Sequence, residues 1–401
     1  MVKIDYDKTI YYMTLALAFS MPLSRAMISA LVVLLILFWI LEKDFKDKYR
    51  QIVSSRLLVA ISIYLLFSAI SVIWSSNIDE ALNMMRLNIY WLVIFVIATK
   101  IKKEQINSII NAFLIGMFIS ESIAYGVFFE LWKFKYATVG NPSPFMFWID
   151  YSVFMAFTSL LLLNRIFSKN YTFKEKIMFV FFFTTVTGNL FLAIGRTGQV
   201  AFIAGVLVLM IMRYRFTFKS IFMTILTLGI ILTTAYSISN TFKMRTNVAI
   251  EDIKNISNMN FEGSWGIRVA YWITSYHIFK EHPVIGVGVG DFQDETKKLL
   301  QSDNYPYLNS ETKEFMSNHH PHNQFLLVAM QMGVVGLVLF IYMIYQIIRL
   351  KIKDREIKEL SILFVTVFFV SCFAEPLLLK QFTLVLFILF VGLFATQEQK
   401  I

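Results

Sequence analysis

The sequence predicts an all-α membrane protein that crosses a lipid bilayer about twelve times. Hydrophobic residues make up 57% of the 401-residue chain and charged residues only 16%, whereas soluble domains have roughly a quarter charged residues. The mean hydropathy is +0.63. Apolar stretches close to the ~20 residues that a membrane-crossing helix needs recur along nearly the whole chain. This composition excludes an ordinary soluble enzyme.

The predicted spans are apolar stretches separated by polar connections. They cover residues 9–24, 26–41, 57–74, 83–99, 106–130, 144–164, 176–195, 197–212, 217–238, 323–348, 359–375 and 378–396. The fourth is the weakest, because Arg86 and Asn88 interrupt it, and a helix at the membrane surface is the alternative. Tight turns at Pro22 and Gly195 would join two neighbouring pairs of spans.

Lysine and arginine concentrate in alternate connections, as they do on the cytoplasmic side of membrane proteins. About 23 of the 37 fall on this side, from Lys3 before the first span to Lys400 after the last. This places both termini in the cytoplasm and the long polar segment, residues 239–322, on the outer face, which is the periplasm in a bacterium. Residues 1–238 then carry nine spans, and residues 323–401 carry three. The net charge of +10 reflects this topology and contact with the phospholipid membrane, not nucleic-acid binding.

Three of the five histidines crowd together just before the tenth span, in Asn318-His319-His320-Pro321-His322-Asn323. A catalytic base is the favoured interpretation, because Pro321 pre-sets the turn and the following helix N-terminus disfavours a charged imidazolium. Zinc binding and simple capping of the next helix are the alternatives. No H-E-x-x-H motif or cysteine pair supports zinc.

Two arginines are candidates for binding an anion. Arg196 lies in Ala193-Ile194-Gly195-Arg196-Thr197-Gly198 between two apolar runs, so its charge must sit at the outer membrane surface and needs a partner. Arg268 begins a predicted amphipathic helix, Trp265 to Lys280, where free N–H groups and a guanidinium suit phosphate. A structural ion pair and an exposed helix face are the respective alternatives.

Weaker signals lie elsewhere on the predicted outer face. Arg25 and Arg86 are secondary candidates for binding a diphosphate or the phosphates of an acceptor. Gly286-Val287-Gly288-Val289-Gly290 lacks the βαβ context of a dinucleotide-binding loop and is interpreted as a flexible turn.

Taken in order, these motifs resemble the bacterial O-antigen ligase family. They are a Gly-Arg-Thr-Gly turn between spans, an Arg-x-x-x-Trp helix (Arg268 to Trp272), His282-Pro283-x-x-Gly286-x-Gly288 and His320-Pro321-His322-Asn323. The resemblance covers essentially the whole chain. The family commonly has serine before the first arginine, whereas this sequence has Gly195.

The resemblance implies a membrane-embedded glycosyltransferase of GT-C-like architecture in the bacterial inner membrane, with its active site facing the periplasm. The donor would be a glycan on undecaprenyl diphosphate, and the acceptor a sugar hydroxyl of lipid A-core oligosaccharide. His322 corresponds to the family's essential histidine, and Arg196 and Arg268 correspond to its essential arginines. His320 is a supporting match, and Asn323 completes the motif as a candidate for substrate binding.

The reaction expected of such a glycosyltransferase is an inverting displacement. We expect it to use no metal or other cofactor, since the outer segment has no Asp-x-Asp metal-binding signature. Within the same superfamily, an O-antigen polymerase or a protein O-oligosaccharyltransferase would use the same donor. A transporter or flippase is an alternative from a different class. Polar residues concentrated at one membrane face favour surface chemistry over transport.

Overall fold

The computed structural model describes residues 5–135, 137–215, 217–258, 260–301 and 305–398, so Lys3 and Lys400 lie outside it. These residues form an all-α protein, and their β-structure is limited to two isolated bridges between residues 134 and 141. The helices are α1 (Tyr6–Ser20), α2 (Arg25–Leu41), α3 (Phe45–Ser54), α4 (Arg56–Ile70), α5 (Ile78–Lys100), α6 (Ile106–Phe128), α7 (Trp148–Phe167), α8 (Phe173–Leu192), α9 (Arg196–Tyr214), α10 (Phe218–Ile238), α11 (Asn240–Ser257), α12 (Ser264–Glu281), α13 (Phe292–Gln301), α14 (Ser310–Asn318), α15 (Gln324–Arg349), α16 (Arg355–Cys372) and α17 (Gln381–Thr396).

A helix occupies most of each predicted span, but fewer helices meet the length and composition needed to cross a membrane. Within the described ranges, seven do so: α4 to α9, with α4 and α6 extended by short 3-10 turns, and α15. Two bent pairs, α2–α3 (112°) and α10–α11 (104°), raise the number to nine if each pair counts as one span. The weakest predicted span is part of α5, a 23-residue helix that meets the criterion. Twelve crossings therefore stay a prediction.

α7 lies at the centre of the bundle. Every side chain from Ile149 to Arg165 is buried, and the helix packs against α8, α9, α16 and α17. Phe157 meets Phe390 and Phe364 edge-on, with ring centroids 4.6 and 4.9 Å apart, and such pairs contribute ~0.5–1.5 kcal/mol beyond burial. The first turn of this fixed helix lies beside the start of α9.

The polar segment 239–322 folds around a small core of its own. The buried members of this core are Phe261, Ala270, Tyr271, Leu300, Tyr305, Leu308 and Met316. α12 confirms the helix predicted from Trp265 to Lys280, although Trp272 remains 39% exposed. α12 also packs against α15, which connects the polar segment to the helical bundle.

α15 is interrupted near its middle at Gly333, where φ is +60° and ψ is −161°. Four backbone hydrogen bonds join the break to the glycine-rich turn, from Val287 N to Met330 O (2.9 Å), Gly288 N to Gln331 O (3.0 Å), Val334 N to Pro283 O (2.8 Å) and Val335 N to Val284 O (3.2 Å). Broken helices are tolerated at membrane depth where other parts of the protein satisfy the freed groups.

The glycine-rich sequence forms a turn as predicted, but the turn is closely packed. Gly286, Gly288 and Gly290 have φ values of +71°, +107° and +103°, a region that glycine adopts without strain. A Cβ on Gly286 would lie 2.4 Å from the carbonyl carbon of Gln331. This turn therefore fixes the position of the break in α15.

Candidate active site

A cavity of about 1110 Å³ brings together most of the residues predicted to form a site. Arg25, Arg196, Arg268, His320 and His322 line it, although they lie as far apart in sequence as α2 and the loop before α15. The N-termini of α2, α7, α9 and α12 form the cavity, together with α11, α14 and the loops that precede α7, α15 and α17.

Two predicted substrate-binding residues lie elsewhere. Arg86 is exposed on α5 and hydrogen-bonds to Asn83. Asn323 is buried and caps α15, because its Oδ1 accepts from the backbone N–H groups of Phe325 (2.9 Å) and Leu326 (3.1 Å). Their contact with substrate stays a prediction, while the cap of Asn323 fixes the end of the histidine loop.

His322 is held in an uncommon backbone conformation. Its φ is +49°, and residues with a side chain enter this region at a cost of about 1–3 kcal/mol, which the surrounding structure must offset. The cap at Asn323 holds one side of the residue, and the side chain of Glu375 holds the imidazole. His322 Nδ1 lies 2.9 Å from Glu375 Oε2.

Glu375 is the centre of this polar cluster and is 1% exposed. Its Oε1 lies 3.2 Å from His320 Nε2 and 2.6 Å from Lys380 Nζ, which is ion-pair distance. Lys380 also lies 3.4 Å from Asp150 on the first turn of α7. A buried carboxylate needs such charged and hydrogen-bonding partners.

The electrostatics favour a neutral His322 with a free Nε2. Burial lowers the pKa of its imidazole, and the nearby His320 and Arg268 lower it further, against the opposing effect of Glu375. The bond to Glu375 assigns the proton to Nδ1, so Nε2 can accept one. His320 donates to Glu375 through Nε2, and its Nδ1 is buried without a partner among the described residues.

Arg196 begins α9 at a turn that lies directly on α7. Gly198 N donates to Ser152 Oγ (3.1 Å), and a Cβ on Gly195 would lie 2.5 Å from Ser152 Cβ. A serine at position 195 therefore has no room here. The Ser152 hydroxyl lies 2.7 Å from where that Cβ would be, and it is buried and donates to Ile149 O at 2.7 Å, so its role is to fix this turn against α7.

Arg268 lies one turn into α12 and is anchored locally. Its Nη1 donates to the backbone oxygen (2.8 Å) and hydroxyl (2.9 Å) of Ser264. Burial lowers the pKa of the guanidinium, against the opposing effects of Glu375 and Asp252. Arginine remains charged at neutral pH, so a partly desolvated cation faces the cavity.

Sequence reasoning missed four charged residues that line this cavity: Asp150, Arg245, Glu375 and Lys380. One signal was present for Glu375, which stands before Pro376 at the end of an apolar run, where an ionisable residue is costly and usually functional. Arg245 carries no such signal, because it lies in a polar segment rich in both charges.

One group of described residues could hold a metal ion, namely His320, His322 and Glu375. One ligand atom from each lies within 4.8 Å of the others. The ammonium group of Lys380 lies against the same carboxylate at 2.6 Å. It would repel a divalent cation there and already neutralises Glu375. The geometry therefore fits a hydrogen-bonded carboxylate better than a metal ligand.

Comparison with known families gives one match. Residues 179–341 match the family described as O-antigen ligase. This range runs from α8 into α15 and includes Arg196, Arg245, Arg268, His320 and His322, whereas Glu375 and Lys380 follow it. No curated protein matches the chain.

Proposed function

Because residues 179–341 match the family described as O-antigen ligase, we propose that this membrane protein transfers a glycan from undecaprenyl diphosphate to a sugar hydroxyl of lipid A-core oligosaccharide. The reaction takes place at the periplasmic face of the bacterial inner membrane, where the predicted topology puts the cavity. The observation that carries this proposal is a histidine that is oriented by a buried carboxylate and lines the same cavity as the arginines.

His322 is the general base. The acceptor hydroxyl gives its proton to Nε2 as its oxygen attacks the anomeric carbon of the donor sugar. The hydrogen bond from Nδ1 to Glu375 keeps this tautomer and stabilises the imidazolium that forms, so Glu375 is a positioning residue. His320 is the weaker candidate for the base, because its Nδ1, which has no partner among the described residues, is buried.

Arg196 and Arg268 bind the diphosphate of the donor. The bond between the anomeric carbon and the diphosphate oxygen breaks as the new glycosidic bond forms, and its electron pair stays on the departing oxygen. Guanidinium groups in a partly desolvated cavity stabilise that charge without a metal ion. Attack from the opposite face inverts the anomeric configuration. Arg25 lies at the cavity rim and is available to acceptor phosphates.

The test uses the full-length protein in lipid with purified undecaprenyl-diphosphate-linked glycan and lipid A-core, and follows products by gel mobility and mass. Wild type should transfer the glycan to lipid A-core, and His322→Ala should lower turnover by at least about 100-fold, the lower end for a lost general base. Longer glycan on the polyprenyl carrier would identify a polymerase, and glycan on a supplied protein would identify a protein glycosyltransferase. Either result would contradict the ligase proposal.

A further inference from the structure

α11 carries an arginine, Arg245, that the mechanism above does not use. This helix follows a 104° bend after α10 and is anchored at both ends. At the bend, Ser239 Oγ donates to Phe191 O (3.0 Å), close to the turn that carries Arg196. Near the other end, Asp252 accepts from Trp265 N (3.2 Å), at the start of the helix that carries Arg268.

Arg245 lies between these two anchors and lines the same cavity as Arg196 and Arg268. Seven residues separate it from Asp252, which is nearly two helical turns, so both residues lie on one face of α11. The two anchors therefore hold α11 with Arg245 lining the cavity that the other two arginines also line.

Each of the three guanidinium groups has a buried N–H without a partner among the described residues: Arg196 Nη1, Arg245 Nε and Arg268 Nε. Arg245 and Arg268 also lie close enough to Arg196 to repel its charge. Buried donors are normally satisfied, and like charges held together are unfavourable. Three such groups facing one cavity indicate an anion that accepts from all of them.

We propose that Arg245 is the third guanidinium of a site that binds the diphosphate leaving group. This inference rests on the proposed function. A diphosphate esterified at both ends has two ionised oxygens, and a third negative charge develops on the terminal phosphate as the glycosidic bond breaks. The cavity has five cationic side chains and two carboxylates, so its net charge is three positive charges. This equals the three negative charges of the departing diphosphate. A third arginine therefore stabilises the departing group more than the intact donor.

The experiment measures binding of undecaprenyl diphosphate without glycan to the full-length protein in lipid nanodiscs, together with thermal unfolding. Arg245→Ala should weaken binding about tenfold or more, the effect of losing a hydrogen bond to a charged group. Arg245→Lys should lose less, and undecaprenyl monophosphate should be affected less than the diphosphate. Lys243→Ala is the matched control, since Lys243 is exposed on the same helix over the ring of Tyr236.

The melting temperature of the unliganded protein distinguishes diphosphate binding by Arg245 from a purely structural role. Because Arg245→Ala removes repulsion, its unliganded melting temperature should equal or exceed that of wild type, while the stabilisation added by undecaprenyl diphosphate shrinks. Equal binding by Arg245→Ala and wild type overturns this inference and leaves the proposed function intact. The inference is also overturned if Arg245→Ala lowers the melting temperature of the unliganded protein and Arg245→Lys does not restore binding. If wild type itself does not bind undecaprenyl diphosphate, the proposed donor is wrong and the inference falls with it.

Discussion

Replacing Glu375 by glutamine tests the way in which the buried carboxylate supports His322. The substitution keeps the size of the side chain but removes its charge. Glu375 accepts from His322 Nδ1 at 2.9 Å, and its other oxygen lies 3.2 Å from His320 Nε2 and 2.6 Å from Lys380 Nζ. An amide has one accepting oxygen, so at least one of these donors would face an N–H group.

The expected loss follows from these contacts. A hydrogen bond to a charged group contributes ~1.5–3 kcal/mol, against about 1 kcal/mol for a neutral pair. The imidazolium that forms in the transition state also loses its counter-ion, and breaking a buried ion pair costs ~3–5 kcal/mol. We expect the barrier to rise by about 3–4 kcal/mol, which lowers kcat by roughly 100- to 1000-fold.

The pH dependence gives a second measure. Burial holds the pKa of His322 below its ordinary value of 6.5, so wild type should lose activity only as the pH falls below that value. Glu375 opposes this shift, because a carboxylate favours the charged imidazole. Glu375→Gln should therefore move the acid limb of kcat to lower pH.

The assay is single-turnover glycan transfer by purified protein in lipid between pH 5 and 8, over the range in which histidine titrates. Glu314→Gln, an exposed change on α14 beside the same loop, is the control and should stay near wild type. This reasoning would be refuted by a Glu375→Gln enzyme that folds normally and keeps the wild-type acid limb, with kcat within about threefold of wild type. A threefold change is well under the expected loss.

Two further predictions concern metal and backbone. Activity should be unchanged by excess chelator, because Lys380 already neutralises Glu375. If chelator abolished activity and a divalent ion restored it, His320, His322 and Glu375 would instead be interpreted as metal ligands. Gly333→Ala should destabilise the protein by more than about 1 kcal/mol in thermal unfolding, since φ there is +60° and the new Cβ would lie 2.3 Å from the backbone of Val284. Gly229→Ala, in a helix with nothing within 4 Å of the new Cβ, is its control, and equal melting temperatures would contradict the role assigned to the break.

The sequence allowed the helical elements to be located because each apolar stretch contains its own signal. The histidine loop and Arg196 were equally visible, since polar residues beside apolar runs are rare enough to stand out. α15 was predicted as one continuous span, and its break at Gly333 was not foreseen. Glycine is common in membrane helices, and the partners of this one lie in a turn about 50 residues earlier in the chain.

The rest of the candidate site depends on contacts that only folding creates. Glu375 follows His322 by 53 residues, and no local pattern connects a carboxylate after α16 with an imidazole before α15. Arg245 reaches the cavity because the chain turns by 104° after α10. Hydropathy gives no sign of that bend, which depends on the contact of Ser239 with the end of α8.

The interruption of α15 also bears on how the protein meets bilayers of different thickness. Helices tilt to match the hydrocarbon layer, and a continuous rod would carry that tilt to the loop that presents His322. In this molecule, the glycine-rich turn bonds to both sides of the break, to Met330 and Gln331 before Gly333 and to Val334 and Val335 after it. We expect this fixed point to separate the tilt of residues 336–349 from the loop that presents His322.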